Sequence, residues 1–355
     1  MKLSKIGVLC VALMTVPLAS CGGHQEQPVE VDVFILTGQS NMEGATYYDN
    51  GSDWLRHAFE TLNLDITPFE DSEGKVSKNA PGIENVLTSY FGFYPPDGKT
   101  LESGLNIAHA SNKTDKLAGE FSPTRPGMGS QDHYMGPEIG LSYALQEYAS
   151  EDRPIYFIKC AFSGSGFTVN NGPSWINNKD ENGYVADYNI YETLFTPFVR
   201  NNLQIIKDSG KVPVIKALLW HQGETDTGNS NYQTQMSNMI ARFRGDFAEY
   251  AVEEDGNNIG FVDAYIYDGP NCPYGGEGDL SINTLKQQLA AESNNNYVIN
   301  TSYHHDDGQE KMQLAINPNP GDVEGGDNRY HYKTLDSVKL GMAYAQVLIN
   351  NGYLE

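Results

Sequence analysis

The sequence predicts an α/β fold, a doubly wound sandwich built around a parallel sheet. Five short apolar runs rich in β-branched residues alternate with longer segments at helical spacing, and this alternation is typical of that class. Nearly continuous apolar runs indicate strands that are buried on both faces of a parallel sheet. The runs cover residues 31–37, 155–160, 212–220, 259–264 and 297–301.

Segments with apolar residues at helical spacing lie between these runs and after the last of them, which completes the alternation of strands and helices. The predicted helices cover residues 137–148, 191–207, 232–251, 281–291 and 334–349. In open α/β sheets, ligands bind beyond the carboxyl ends of the strands. Functional side chains should therefore come directly after the apolar runs.

Composition excludes one class of partner. The chain has 355 residues, with 23 Lys plus Arg against 46 Asp plus Glu and a formal net charge of −23. A protein that neutralises phosphates needs the opposite balance. We therefore predict no nucleic-acid partner.

The N-terminal segment reads as a targeting signal. Lys2 and Lys5 precede an apolar stretch over 6–18, and small residues lead to Cys21. This ending resembles the bacterial lipoprotein box, which implies cleavage before Cys21 and lipidation of its thiol. We expect a signal peptide at 1–20, a tether at 21–30 and an exported lipoprotein of the cell envelope, held to the membrane by its lipid anchor only. An ordinary secretory signal is the alternative.

The remaining residues, 31–355, are predicted to form a single domain. Within it, the segment 46–135 is long, punctuated by Gly and Pro, and weakly periodic. Such segments commonly decorate a binding site and carry selectivity. We expect a cap-like insertion at the active-site edge.

Polar clusters follow three of the apolar runs, and a fourth cluster ends the long loop before the last helix. The sequences are GQSNM at 38–42, AFSGSG at 161–166, WHQGETD at 220–226 and DNRYH at 327–331, just before the last helix. A serine on a turn is usually structural when it stands alone. Four such loops at one sheet edge favour a catalytic site.

Together these motifs resemble the SGNH hydrolase superfamily and, within it, the branch of sialate O-acetylesterases and carbohydrate esterase family six. The resemblance spans about residues 31–349. It implies a three-layer α/β/α sandwich with a flavodoxin-like sheet. It also implies a serine esterase without metal or other cofactor, which removes acetyl groups from carbohydrates, so the expected partner is an acetylated polysaccharide or sialic acid.

The resemblance also assigns roles to residues. Ser40 would be the nucleophile and His331 its general base, because a serine hydroxyl needs a base that later protonates the leaving alcohol. The oxyanion hole would consist of the Ser40 and Gly164 N–H groups and the Gln222 side-chain amide, since a developing oxyanion needs preorganised donors.

The acid that orients His331 departs from the usual pattern. Relatives carry Asp-x-x-His, whereas here Asn328 stands three residues before His331 and Asp327 stands four before it. We predict Asp327, with Asn328, Glu224 or a Ser–His dyad as alternatives. Two roles stay open for Glu224 and Asp226. One is chemical, and the other is structural, in which they orient their loop and cap the helix beginning near residue 232.

Three other interpretations stay open at this level. The HHDD sequence at 304–307 is more typical of a solvated loop than of a metal site. A lipid or aryl esterase on the same fold is one alternative function, because fold does not settle substrate. A surface glycan-binding lipoprotein without catalysis is the other.

Overall fold

The central sheet contains eight strands in the part of the chain that the structure, a computed structural model, describes. The described residues are 28–49, 52–93, 107–110, 120–167, 174–176, 190–253, 255–316 and 330–354. The strands, including a separate pair formed by β2 and β6, are β1 Glu30–Gly38, β2 Thr46–Tyr47, β3 Ile83–Phe93, β4 Ile107–Ala110, β5 Ser122–Thr124, β6 Tyr134–Met135, β7 Ile155–Phe162, β8 Val212–His221, β9 Gly260–Ala264 and β10 Asn296–Ile299.

The sheet has the flavodoxin-like order expected from the resemblance. Its strands run β10-β9-β8-β1-β7-β3-β4, with β5 paired to β3. All pairs from β10 to β3 are parallel, whereas β4 and β5 pair with β3 in the antiparallel direction. The five predicted strands are all present, and in chain order they take the arrangement 2-1-3-4-5. This confirms the predicted fold class.

Seven α-helices complete the layers within the described residues. They are α1 Ser40–Glu43, α2 Trp54–Thr61, α3 Glu138–Leu145, α4 Thr196–Asp208, α5 Tyr232–Asp246, α6 Ser281–Ala290 and α7 Thr334–Asn350. The segment predicted as one helix over 191–207 begins with a π-helical turn, Tyr191–Phe195, before α4. The segment predicted over 232–251 breaks at Phe247, whose backbone is not helical, and ends in a 3₁₀ turn.

Two apolar cores lie on opposite faces of the sheet. On β1 the side chains alternate, so Val33 and Ile35 pack with residues of α4 and α5, and Phe34 and Leu36 pack with residues of α3 and α7. Every β1 residue after Glu30 is buried. A strand buried on both faces needs helices on both faces, and the result is a three-layer α/β/α sandwich.

The segment 46–135, predicted as a cap-like insertion, also contributes a strand to the main sheet. Strand β3 lies inside it and extends the main sheet beside β7. The sequence of β3, IENVLTSYFGF, mixes polar and apolar residues and lacks the continuous apolar character of the five predicted strands. That composition fits its place near the sheet edge, where burial is less complete than at the centre.

Two further observations concern cysteines and membranes. Cys160 and Cys272 are both buried and unpaired with each other. Among the described helices, none combines the length and apolar character that crossing a bilayer requires. The predicted signal peptide and Cys21 lie outside the described residues.

Candidate active site

Three central strands end at the same level. Gly38 at the end of β1 pairs with Ala161 of β7 on one side and with His221 of β8 on the other. The turns that follow therefore meet at one place, between strands whose order reverses along the sheet. This is the topological switch point, where α/β folds bind their ligands.

Gly38 makes the first of these turns possible. Its φ is 137°, and a Cβ at this position would lie 2.1 Å from the carbonyl oxygen of His221. Only glycine fits so close to another backbone at such an angle. The next residue, Gln39, donates its N–H to the same His221 oxygen at 2.9 Å, and Ser40 then begins α1.

A cavity of about 640 Å³ opens over this switch point. Ser40, Gly164, Glu224 and His331 all line it, so the structure brings these four predicted site residues together. Its volume is in the usual range for small-molecule sites. The wall also includes Ser130, Gln131, Tyr134, Thr225, Thr227 and Tyr274.

Ser40 and His331 are partly shielded from solvent. Each is 8% exposed and faces the cavity. Gly164 has a φ of 70° in the turn after β7, and a Cβ there would meet open space. Its positive φ is the feature that favours glycine at this position.

Gln222 is placed differently from the other predicted oxyanion-hole residues. It is fully buried, and its Nε2 donates to Asp226 Oδ2 at 2.7 Å and to the carbonyl of Ser165 at 3.2 Å. A primary amide has two N–H donors, and both are used in these bonds. To donate to an oxyanion, Gln222 has to give up one of these two hydrogen bonds. Its role in the oxyanion hole therefore stays a prediction.

Asp226 connects two loops. Besides Gln222, its carboxylate accepts from the Phe167 N–H at 3.0 Å and from Asn229 Nδ2 at 3.1 Å. The helix α5 is preceded by Asn231 and has no side-chain cap. The interpretation of Asp226 as a helix cap is therefore wrong, and the carboxylate instead orients the loops after β7 and β8.

Glu224 is a buried carboxylate in the short turn after β8. Its Oε1 accepts from Asn41 Nδ2 at 2.8 Å, and His221 Nε2 lies 3.7 Å away. Burial raises the pKa of Glu224, opposed by the Asn41 hydrogen bond and by the charges of Lys286 and His331. Glu224 therefore interacts electrostatically with His331, which lines the same cavity.

His221 does not form an ion pair with Glu224. Burial lowers the pKa of this imidazole well below its ordinary value, with a further contribution from Lys286. The ring is fully buried, packs against Tyr332 with centroids 5.5 Å apart, and has no hydrogen-bond partner among the described residues. His221 is a neutral packed side chain.

Asp327 and Asn328, the two principal candidates for orienting His331, lie outside the described residues. The choice between them stays a prediction. Among the candidates that the structure describes, Glu224 shares the cavity with His331.

Sequence reasoning missed a buried carboxylate three residues after Ser40. Glu43 ends α1, and its Oε2 accepts from the Ser163 N–H at 2.9 Å and from the Ser163 hydroxyl. This contact ties the helix that begins at Ser40 to the turn that contains Gly164. Its position directly after GQSNM was the only sequence signal.

A buried ion pair supports one wall of the cavity. Lys159 of β7 donates to Glu138 Oε2 at 2.7 Å and to the carbonyl of Met128 at 2.9 Å. Burial lowers the pKa of Lys159, and the charge of Glu138 opposes this shift. The pair fixes the segment that leads to Ser130 and Tyr134 against the central sheet.

The HHDD sequence at 304–307 is held by ordinary hydrogen bonds. His305 Nδ1 lies 2.8 Å from Asp279, and Asp307 accepts from the Tyr265 hydroxyl at 2.7 Å. Across the described ranges, no group of three or more His, Cys, Asp or Glu side chains is arranged to hold a metal ion.

Comparisons with solved structures find distant similarity over most of the chain. A structure titled NanS is 12% identical, covers 92% of this chain and 98% of its own, and has a TM-score of 0.49. A protein from Arabidopsis thaliana is 18% identical, with coverages of 92% and 99% and a TM-score of 0.45. A carbohydrate acetylesterase from Xanthomonas citri is 16% identical, with coverages of 78% and 51% and a TM-score of 0.43.

One curated protein shares only a short stretch. It is 5-methyltetrahydropteroyltriglutamate–homocysteine methyltransferase from Caulobacter vibrioides, 39% identical over 62 residues. The match covers 16% of this chain and 8% of the methyltransferase.

The family comparison covers the greater part of the chain and confirms the resemblance. Residues 111–350 match the SASA model, described as carbohydrate esterase, sialic acid-specific acetylesterase. This range includes Gly164, Gln222 and His331, while Ser40 precedes it. The chain belongs to the SASA family and is a carbohydrate O-acetylesterase, that is, a carboxylic ester hydrolase.

Proposed function

We propose that the enzyme removes O-acetyl groups from carbohydrates through an acyl-enzyme formed on Ser40. One observation carries this proposal. Ser40 at the start of α1 and His331 before α7 line the same cavity at the switch point of the sheet. A hydroxyl and an imidazole in one partly shielded cavity are the minimum set for nucleophilic acyl transfer.

The reaction proceeds in two halves. His331 takes the Ser40 proton as the hydroxyl attacks the acetyl carbonyl, and then gives that proton to the departing sugar oxygen. In the second half, His331 takes a proton from water as the water oxygen attacks the acetyl-serine carbonyl, and then returns that proton to Ser40 Oγ as acetate leaves. The N–H groups of Ser40 and Gly164 stabilise the oxyanion in both halves, each donor contributing on the order of 3 kcal/mol. Gln222 joins them if its amide leaves the Ser165 carbonyl.

The described wall of the cavity favours a neutral sugar. It consists mainly of hydroxyl, amide and tyrosine side chains, and the described lining includes Glu224 but neither Lys nor Arg. A substrate carboxylate would meet no described cation and would approach a chain of net charge −23. We therefore favour an acetylated neutral polysaccharide over sialic acid.

We further propose export and anchoring through Cys21. The positive start, the apolar stretch and the small residues before Cys21 support this proposal. Anchoring in the cell envelope would bring the enzyme to polymeric substrates that do not enter the cell.

Replacing the nucleophile tests the serine mechanism. We expect Ser40→Ala to lower turnover of a small acetyl ester by roughly 1,000-fold or more, because members of a catalytic set act as a unit. Initial rates of acetate release measure the effect, with circular dichroism to verify folding. Ser142→Ala is the matched control, a buried serine of α3 that bonds only its own helix. Near-normal activity of folded Ser40→Ala would contradict the mechanism.

Three substitutions identify the group that orients His331. We expect Asp327→Asn to lower kcat by roughly 10,000-fold, the loss seen when a triad carboxylate becomes an amide. Asn328→Ala and Glu224→Gln should each lower kcat by a smaller factor. If Asp327→Asn retains most of its activity while Glu224→Gln collapses, Glu224 is the orienting carboxylate.

Substrate competition tests the preference for neutral sugars. At equal acetyl concentration, we expect kcat/KM for acetylated xylan to exceed that for O-acetylated sialic acid at least about tenfold, or 1.4 kcal/mol. Added salt should narrow the ratio because it screens charge repulsion. A preference for the sialate at every ionic strength contradicts the proposal, and a preference for a long-chain ester contradicts the carbohydrate assignment.

Removing the lipid attachment site tests anchoring. We expect Cys21→Ser to move the protein from the membrane fraction to the soluble fraction of a bacterial host. Cys10→Ser, inside the predicted signal peptide, serves as the control and should leave fractionation unchanged. Unchanged membrane association of Cys21→Ser would exclude a lipid on this thiol.

A further inference from the structure

The Asn41 side chain spans the two residues that flank His331. Its Oδ1 accepts from the Tyr332 N–H at 3.2 Å, and its Nδ2 lies 3.4 Å from the carbonyl oxygen of Tyr330. Asn41 directly follows Ser40 in α1 and is 5% exposed. The residue beside the nucleophile therefore holds the peptide groups on both sides of the base.

Glu224 fixes the orientation of this amide. Its Oε1 accepts from Asn41 Nδ2 at 2.8 Å. An ionised carboxylate only accepts hydrogen bonds, so the amide nitrogen has to face Glu224 and Oδ1 has to face the Tyr332 N–H. The turn after β8 thereby sets the direction in which Asn41 holds the His331 segment.

A second side chain holds the same segment from the other end. Thr46 of β2 donates its hydroxyl to the carbonyl of Tyr332 at 3.0 Å. Thus Tyr332 is bonded at both its N–H and its C=O by side chains that follow Ser40 closely in the chain. Asn41 itself is outside the described lining of the cavity, so it acts behind Ser40 and does not contact substrate there.

We propose that Asn41 is a positioning residue of the esterase, which sets the place of His331 relative to Ser40 by holding Tyr330 and Tyr332. This inference rests on the proposed function, in which His331 is the general base for Ser40. Misplacement of a reacting group by about 1 Å costs on the order of 100-fold in rate. Loss of the clamp should therefore lower kcat, whereas KM should stay nearly constant.

Asn41→Ala and Asn41→Asp test the clamp in different ways. We expect Asn41→Ala to lower kcat by roughly 10- to 100-fold, the usual effect of removing a group that orients a functional residue. The aspartate keeps the shape and the acceptor for Tyr332. However, it places a second carboxylate against Glu224, where the amide nitrogen had donated.

The pH dependence of Asn41→Asp distinguishes positioning from general destabilisation. Two adjacent carboxylates raise the pKa of one of them, and burial already raises that of Glu224. Below the raised pKa the pair shares a proton, and one O–H replaces the lost amide donor. The ratio of variant to wild-type kcat should therefore be low at pH 8 and rise at least about tenfold towards pH 5.

Dividing the kcat of Asn41→Asp by that of the wild type at each pH cancels the titration of groups that both proteins share. The other titratable groups near Glu224 are unchanged by the substitution: His221, His331, Lys286, Asp263, Tyr232, Cys272, Tyr274, Tyr332 and Tyr344. The control is Asn296→Asp, since Asn296 is a buried amide with both atoms bonded, at the amino end of β10 and away from the cavity. We expect its kcat ratio to stay constant with pH.

The outcomes separate the inference from the proposed function. An inactive Ser40→Ala together with a flat pH ratio for folded Asn41→Asp, or a raised KM at unchanged kcat, overturns the role of Asn41 alone. An active Ser40→Ala overturns the proposed mechanism. If the Asn41 variants do not fold, Thr46→Val decides: lower kcat at constant KM with recovery in Thr46→Ser supports the clamp on Tyr332, and unchanged kcat overturns it.

Discussion

The close contact between Gly38 and the His221 carbonyl is the constraint on which the site depends. A side chain at position 38 would overlap that oxygen, with Cβ only 2.1 Å away. Because glycine stands there, β1 runs level with β8 to its last residue, and the chain then turns sharply into α1. The turn delivers Ser40 to the cavity. Any other residue would separate β1 from β8 and displace Ser40 relative to the loop that carries Glu224.

Buried carboxylates then connect the loops that this contact brings together. Glu43 bonds the turn after β7, Asp226 bonds the same loop from β8, and Glu224 bonds Asn41 behind the nucleophile. Burying a carboxylate costs several kcal/mol unless donors surround it. Donors offset part of this cost here. The N–H and hydroxyl of Ser163 face Glu43, the Phe167 N–H and two amides face Asp226, and the Asn41 amide faces Glu224, and these bonds fix three loops. Rigid loops matter because a catalytic geometry tolerates little displacement.

The sequence predicted those parts of the molecule that depend on local patterns. Five strands were evident because central parallel strands must be apolar on both faces. Ser40, Gly164 and Glu224 follow strand ends directly, and His331 stands just before the last helix. The strand β3 was missed because its polar residues interrupt the continuous apolar pattern by which the other strands were predicted. The clamp by Asn41 was also missed, since it joins segments that are far apart in the chain and meet only in the fold. The bond from Gln222 to Asp226 was missed for a different reason, because the two residues share one loop and only the conformation of that loop turns their side chains towards each other.

The proposed reacting groups and the rest of the cavity wall come from different parts of the chain. In the proposed reaction, Ser40 and Gly164 come from the turns after β1 and β7 and His331 from the segment before α7. Ser130, Gln131 and Tyr134 line the same cavity from the segment between β5 and α3. The buried pair of Lys159 and Glu138 holds this segment to β7. The wall is thus braced against the sheet independently of Ser40. Substitutions in this wall can alter the shape of the cavity without moving Ser40, and family membership therefore defines the reaction more closely than the substrate.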